Sequence, residues 1–316
     1  MKTIFLLLLP TLLVAQIQGS VKDSISGEPI PYATIWIENT EVGTNADEAG
    51  QFSISAETDK NLLFSAIGYA TKKLRANAAS NVVLQPAPIL LDAVSVQKPK
   101  RTKSNVVGEF QMKNVETTYG CNGRPFRVAR YFNVAQIPSE TPYLKTISVA
   151  TVSKIKGAKF NFYLIEANAD GTPGSEMLAK PILASAKKGR NKTIIDVSEF
   201  KIKCSETGFF VALEWLVIPE NRYEFTYESK TGTITQTSYQ PTFGTQYKAE
   251  NSSWGFDWKI ATWKPFRKDL ARYDAFENEI RLMNPADSHQ FKQMMEHAKK
   301  IRTYWEEFAV EITLSN

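Results

Sequence analysis

From Tyr32 to Glu38 the side chains alternate, with Ala33, Ile35 and Ile37 on one face and Tyr32, Thr34, Trp36 and Glu38 on the other. A period of two is what a strand with one buried face requires, and no helix satisfies it. Similar short β-type runs recur at Ile17–Lys22, Gln51–Ser55, Asn61–Ala66, Asn81–Gln85 and Asp92–Val96, separated by turn residues. Gly27, Gly43, Gly50 and Gly68 fall at those turns, where the backbone needs positive φ. Six or so strands in so short a stretch predict a small β-sandwich.

The whole chain has 316 residues, enough for about two domains at ~150 residues each. Hydrophobic residues at 43% and charged residues at 22% exclude wholesale disorder and a polytopic membrane protein. Aromatics at 11% favour β-rich cores. With only two His and two Cys, there is little material for metal catalysis or a disulfide scaffold.

Residues 1–15 read as a secretory signal peptide. Lys2 is followed by the apolar runs Ile4–Leu9 and Leu12–Val14 and by the small Ala15, after which cleavage is expected. The polar Gln16, Gln18 and Ser20 arrive too early for the ~20 apolar residues of a membrane helix, so no transmembrane segment is expected in the mature chain. Export places the protein in the periplasm or at the outer membrane, or outside the cell. Loss of Lys2 takes the formal charge from +5 to +4, too weak for a nucleic-acid partner. The one basic run, Lys98, Lys100, Arg101 and Lys103 with Pro99 inside it, is either a solvated linker or a contact for an anionic surface. In an oxidising compartment Cys121 and Cys204 could pair, or remain two separate buried thiols.

Specific motifs sit on the first set of strands. They are Gly19-Ser20-Val21-Lys22-Asp23, Gly27-Glu28-Pro29-Ile30-Pro31-Tyr32-Ala33, and Gly43-Thr44-Asn45-Ala46-Asp47-Glu48-Ala49-Gly50-Gln51-Phe52, closing with Ser65-Ala66-Ile67-Gly68-Tyr69 and Leu91-Asp92-Ala93-Val94-Ser95-Val96. In order and spacing this stretch resembles the carboxypeptidase regulatory-like domain of Bacteroidetes-type cell-envelope proteins. The resemblance implies a seven-stranded prealbumin-like sandwich over residues 16–96, used as an accessory or interaction module. The peptidase that the family name suggests would need a His-x-x-Glu pair and a further His, and no such pattern occurs. His289 and His297 are separated by ~12 Å of helix rise, too far to share one metal. The same module precedes the plug and barrel of TonB-dependent receptors, but the residues after Val96 lack a plug-like continuation or the strand series of a large barrel.

After a basic linker at 97–115, residues 116–316 predict a second sandwich. Its strands are expected at Pro125–Phe132, Tyr143–Val152, Lys159–Ala167, Lys192–Asp196, Thr207–Ile218 and Ser253–Ile260. The runs Phe160–Glu166, Asp170–Gly174, Ile195–Ser198 and Gly208–Trp215, with Val128–Phe132 as opening strand, resemble a jelly-roll-like region often appended to the regulatory domain. Then the period changes. Asp269 and the pair Asn284–Pro285 read as helix starts, predicting helices at about 269–283 and 285–306, ahead of a final strand carrying Phe308, Val310, Ile312 and Leu314. The expected class is therefore all-β dominated, with two β-sandwich domains and a C-terminal helical insertion.

Candidate chemistry is confined to the second sandwich. Glu166, Asn168, Asp170 and Gly171 echo the start of a calcium loop, but Met177 stands where the closing acid belongs, so a strand-connecting turn is the simpler reading. Glu214 lies on an apolar strand face, where it either lines a ligand pocket with Trp215 beside it or pairs with a basic side chain. Trp254, Phe256, Trp258 and Ile260 alternate as a core-facing strand would, whereas Trp263 and Tyr247 escape the alternation and are the better candidates for stacking a sugar. Neither a nucleophile elbow, a phosphate-binding glycine loop nor a Cys-x-x-Cys pair occurs, and no catalytic residue, metal ligand or cofactor is expected. Together these readings predict an exported, non-enzymatic cell-envelope accessory protein that binds an envelope protein or a glycan. Alternatives are a carbohydrate-binding module built on the second sandwich, and a hydrolase with an unrecognised site.

Overall fold

The computed structural model describes residues 15–87, 103–133, 135, 137–204, 207–229, 232–266, 268, 270–281 and 288–316. Residues 1–14 of the expected signal peptide, the run at 92–96, most of the basic run and the expected cap residues Asp269, Asn284 and Pro285 lie outside the described residues. The chain divides into two compact units, with the boundary after Ala87.

The first unit contains β1 (Ala15–Asp23), β2 (Thr34–Ile37), β3 (Gly43–Asn45), β4 (Gln51–Ala56), β5 (Asn61–Ser65), β6 (Lys72–Arg75) and β7 (Asn81–Leu84). One sheet has the order β4-β1-β7 and the other β3-β2-β5-β6. Period-two burial along β4 puts Phe52, Ile54 and Ala56 into a core with Val21, Ile35, Leu62, Phe64, Val82 and Leu84. β3 and β6 are additional to the sequence expectation, being too short to carry a readable period.

The sequence motifs of this unit act at its turns. Asp23 accepts the backbone N–H groups of Ile25 and Ser26 at 2.7 and 2.9 Å and the Tyr69 hydroxyl at 2.8 Å, joining two motifs 46 positions apart. Asp47 likewise accepts the N–H groups of Ala49 and Gln51 at 2.9 and 2.8 Å. At the same turn Gly50 has φ +72°, and a Cβ there would stand 2.7 Å from the Val21 carbonyl oxygen. Only glycine satisfies both demands.

The second unit begins with β8 (Ser104–Val107), β9 (Thr117–Cys121), β10 (Arg127–Phe132), β11 (Tyr143–Ser153) and β12 (Ala158–Ala167). It continues with β13 (Pro173–Glu176), β14 (Ile182–Ala186), β15 (Gly189–Asp196), β16 (Phe209–Trp215), β17 (Arg222–Ser229), β18 (Gly232–Lys248), β19 (Ser253–Asp257) and β20 (Thr262–Pro265). Helices α1 (Leu270–Arg281) and α2 (Ser288–Thr303) precede β21 (Trp305–Phe308) and β22 (Val310–Ser315). One sheet runs β13-β12-β16-β10-β19-β20, with β14 also on β12; the other runs β17-β18-β11-β22-β8, with β15 on β11 and both β9 and β21 on β18.

Phe160, Phe162, Leu164, Val211, Leu213 and Trp215 of the first of these sheets share a core with Ile147, Val149, Phe243, Phe308, Ile312 and Leu314 of the second. The result is a β-sandwich, and the whole protein is β-dominated. The second unit departs from the sequence expectation in several places: β9, β13, β14, β17, β18 and β20 are additional strands, and two further details differ. Part of the stretch read as linker, residues 104–107, is strand β8 on β22. Trp305, expected at the end of the second helix, starts β21, where it pairs with Lys248.

Candidate binding site

Strand register builds a charged row across the sheet that contains β12, β16 and β10. Glu214 on β16 lies directly opposite Arg127 on β10 and Asn161 on β12, so all three project from one face. That face is opposite to the one carrying Leu213 and Trp215 into the core. Glu214 is fully buried, and Arg127 Nη2 reaches its Oε1 at 3.3 Å. Asn161 Nδ2 donates to Glu214 Oε2 at 3.3 Å, and the Tyr163 hydroxyl donates to the same oxygen. A second carboxylate, Glu176, lies 3.8 Å from Arg127.

Aromatic rings complete the arrangement. The Arg127 guanidinium carbon lies 4.0 Å from the Tyr163 ring centroid, 5.4 Å from that of Trp258 and 5.6 Å from that of Phe256. Phe256 is paired with Trp263 across β19 and β20, and the two rings meet edge to face at 5.2 Å. Burial opposes the Arg127 charge, but Tyr163, Glu214 and Glu176 outweigh it and hold the guanidinium above its ordinary pKa. Burial, with Glu214 beside it, also lifts the Tyr163 phenol well above its usual range, so this hydroxyl is a hydrogen-bond donor at neutral pH. An ion pair held by a phenol and an amide suits recognition and rigidity better than proton transfer.

The residues expected from the sequence divide on this geometry. Glu214 takes the ion-paired alternative. Trp215 is completely buried in the core, its Nε1 donates to the Pro241 carbonyl at 2.8 Å, and its ring packs on Phe126 and Phe243, so it lines no pocket with Glu214. Trp254 and Phe256 do alternate, but away from the core. Between them, Gly255 is the residue whose Cβ would point to Phe126 and Phe266, and both of those pack against the core. Ile260, expected to end the core-facing series, is 59% exposed.

Trp263 is half-buried on the edge strand β20. Tyr247 belongs to the other sheet, where the Lys300 ammonium lies 5.2 Å from its ring centroid and the His297 ring is 6.2 Å away. The two sugar-stacking candidates are therefore not brought together. Beside Tyr247, Glu306 accepts hydrogen bonds from the Tyr119 hydroxyl and, at 3.0 Å, from Thr117 Oγ1.

The calcium-like segment is a turn. Asp170 accepts the Thr172 N–H at 3.0 Å and the Thr172 hydroxyl at 2.6 Å, while Asn168 donates to Thr172 Oγ1 at 2.9 Å and Gly171 takes φ +78°. Cys121 and Cys204 are separate thiols, which corrects the disulfide alternative. Burial pushes the Cys121 thiol up to about 11 and Cys204 up to about 12; Cys121 donates to the Arg124 carbonyl at 2.9 Å. Sequence reasoning missed Arg127, Asn161 and Tyr163. Each was a polar residue inside an expected apolar strand, which is a readable signal, but the register joining them was not readable.

Residues 17–96 match the model of the CarboxypepD_reg-like domain. Over 89 residues the chain is 35% identical to the TonB-dependent receptor SusC of Bacteroides thetaiotaomicron; the match covers 28% of this chain and 9% of the receptor. Two solved structures of the clostridial cysteine protease Cwp84 also align. The one obtained after propeptide cleavage has a TM-score of 0.38 at 11% identity, covering 96% of this chain and 71% of its own. That of the cysteine protease and lectin-like domains, from Clostridium difficile, has a TM-score of 0.38 at 12% identity, covering 90% and 58%. Neither structural likeness is close enough to bear on function.

Proposed function

We propose that this chain, whose residues 17–96 are a CarboxypepD_reg-like domain, is an exported cell-envelope accessory protein that binds a partner rather than transforming a substrate. The observation that carries this reading is the match of that domain to a segment of the TonB-dependent receptor SusC. The second unit supports it. The charged residues gathered at Glu214 are engaged with one another, and the aromatic side chains beside them form a recognition surface more readily than a reaction centre.

A carbohydrate reading keeps one specific support: Trp263 is half-buried at a sheet edge, beside Phe256 and close to the Arg127 row. Cell fractionation with mass analysis of the mature N-terminus tests export. The expected result is envelope protein beginning near Gln16, and a cytoplasmic chain that keeps its first 15 residues would overturn it. Turnover of a peptide or glycan that disappears on replacement of a single residue would overturn the non-enzymatic reading. For the sugar reading, a glycan array should lose its signal with Trp263→Ala; binding that persists unchanged excludes that surface.

A further inference from the structure

The hairpin of β17 and β18 extends beyond the sandwich as a two-stranded ribbon. Arg222–Ser229 pair with residues 232–239 of β18 without any register shift, and β17 ends the sheet order, so its outer edge has no strand partner among the described residues. A free edge is normally blunted by charges, Lys above all, by Pro or by a bulge; β17 has no Lys, Pro or bulge, and its three charges, Arg222, Glu224 and Glu228, all lie on one face.

The two faces of the ribbon differ. On one face Glu224, Thr226 and Glu228 are occupied by their cross-strand neighbours: Thr226 and Thr235 share a hydrogen bond of 3.1 Å, and Thr233 donates to Glu228 at 2.8 Å. The other face carries Tyr223, Phe225 and Tyr227 in a row, with ring centroids 6.2 Å apart at both steps and planes inclined by 19° and 23°. Phe225 is 39% exposed and Tyr227 41%. An isolated two-stranded ribbon is marginal in water, and a largely exposed aromatic row on an edge without Lys, Pro or a bulge is where another strand would add.

We infer that β17 is a self-association strand, which pairs antiparallel with β17 of a second copy about a two-fold axis at Phe225. The occupant follows from the charge pattern. Directly opposed residues share a face, so matching the aromatic rows restricts the register to steps of two. Centred on Phe225, the pairing sets Tyr223 against Tyr227 of the second copy, Phe225 against itself and Arg222 against Glu228 of the second copy. A shift of two one way sets Glu224 against its own copy, and the opposite shift sets Glu224 against Glu228. Like charges directly opposed are unfavourable, so of these three registers only the Phe225-centred one satisfies both faces. Arg222, which rests on Glu224 at 2.5 Å within the protomer, is about half exposed and available to that contact.

Sedimentation of the full mature chain over a range of concentrations tests this. A dimer is expected, its dissociation constant rising about tenfold in Arg222→Glu, which opposes two acids at each end of the interface. The exchange Arg222→Glu with Glu228→Arg should restore it, because the pair is regenerated with its signs reversed. Circular dichroism of each variant confirms that these exposed changes leave the fold intact. A chain that is monomeric up to its solubility limit overturns the inference, as does a dimer indifferent to Arg222→Glu or one that the exchange fails to recover. A monomer whose aromatic row instead binds a soluble glycan, with loss in Tyr227→Ala, would likewise overturn it.

Discussion

In the first unit the carboxylates that organise the fold lie at the turns, in contact with solvent: Asp23 and Asp47 gather backbone N–H groups beside glycines of positive φ. In the second unit the organising charges lie within the sheets. Glu214 is paired with Arg127 inside one sheet. Arg130 crosses from β10 to Glu307 of β21 at 2.8 Å and donates to the Val310 carbonyl, tying one sheet of the sandwich to the other. A turn carboxylate remains partly hydrated whether or not its partners are present. A buried one depends on them entirely, because its desolvation is already complete. The first arrangement therefore fails gradually, and the second fails as a set.

The largest expected effect tests that contrast directly. Arg127→Met leaves Glu214 buried without its cation and should cost about 3–5 kcal/mol, read as earlier urea unfolding with hydrogen exchange confined to the second unit. Combining it with Glu214→Leu should recover most of the loss. If the single change is silent, the pair does not organise the sheet.

A smaller loss, about 1–3 kcal/mol, is expected for Gly50→Ala in the first unit, from positive φ and the close Val21 carbonyl. Glycine-like stability in this variant would mean that the turn can relax.

The exposed carboxylates should appear in the pH profile. The Ser26 N–H and then the Tyr69 hydroxyl hold the Asp23 pKa below its ordinary value. Its contribution to stability is thus present above the unfolded carboxylate range and is lost as acid titrates the folded group, below about pH 4. Asp23→Asn should flatten the acid limb of first-unit unfolding while leaving the second unit unchanged; an identical acid limb would remove Asp23 from the account.

The smallest effect concerns Cys121 and Cys204. As separate thiols they should make stability indifferent to added reductant, whereas opening a disulfide between them would cost about 4 kcal/mol. Intact mass after alkylation of the unfolded chain checks this, with two labels expected without prior reduction.

Much of the fold was legible because strands leave a local trace. β4 was readable from Phe52 and Ile54, and β12 from Phe160, Phe162 and Leu164, since alternation is set by each strand's own backbone. The short strands β3, β6 and β20 carry too few residues to display a period. The candidate site was half legible. Glu214 in an apolar strand announced a need for a partner, but Arg127 is 87 positions away, and nothing local specifies which strand becomes the neighbour. The ribbon of β17 and β18 was missed. Tyr223, Phe225 and Tyr227 alternate with Arg, Glu and Thr, a period of two that was readable, yet no strand was expected between Ile218 and Ser253.

By itself the sequence determined that this protein is built from strands, that Gly27, Gly50 and Gly68 take positive φ at turns, though Gly43 instead opens β3, and which domain family residues 17–96 resemble, because φ preferences and period-two burial act within a few residues. Only tertiary structure decided which way each alternating row turns. It put Trp215 in the core and Phe256 on the opposite face, joined Glu214 to Arg127, kept Tyr247 and Trp263 on different sheets, and left the aromatic row of β17 largely exposed. Those outcomes depend on strand order and register, which come from the mutual fit of side chains distant in sequence.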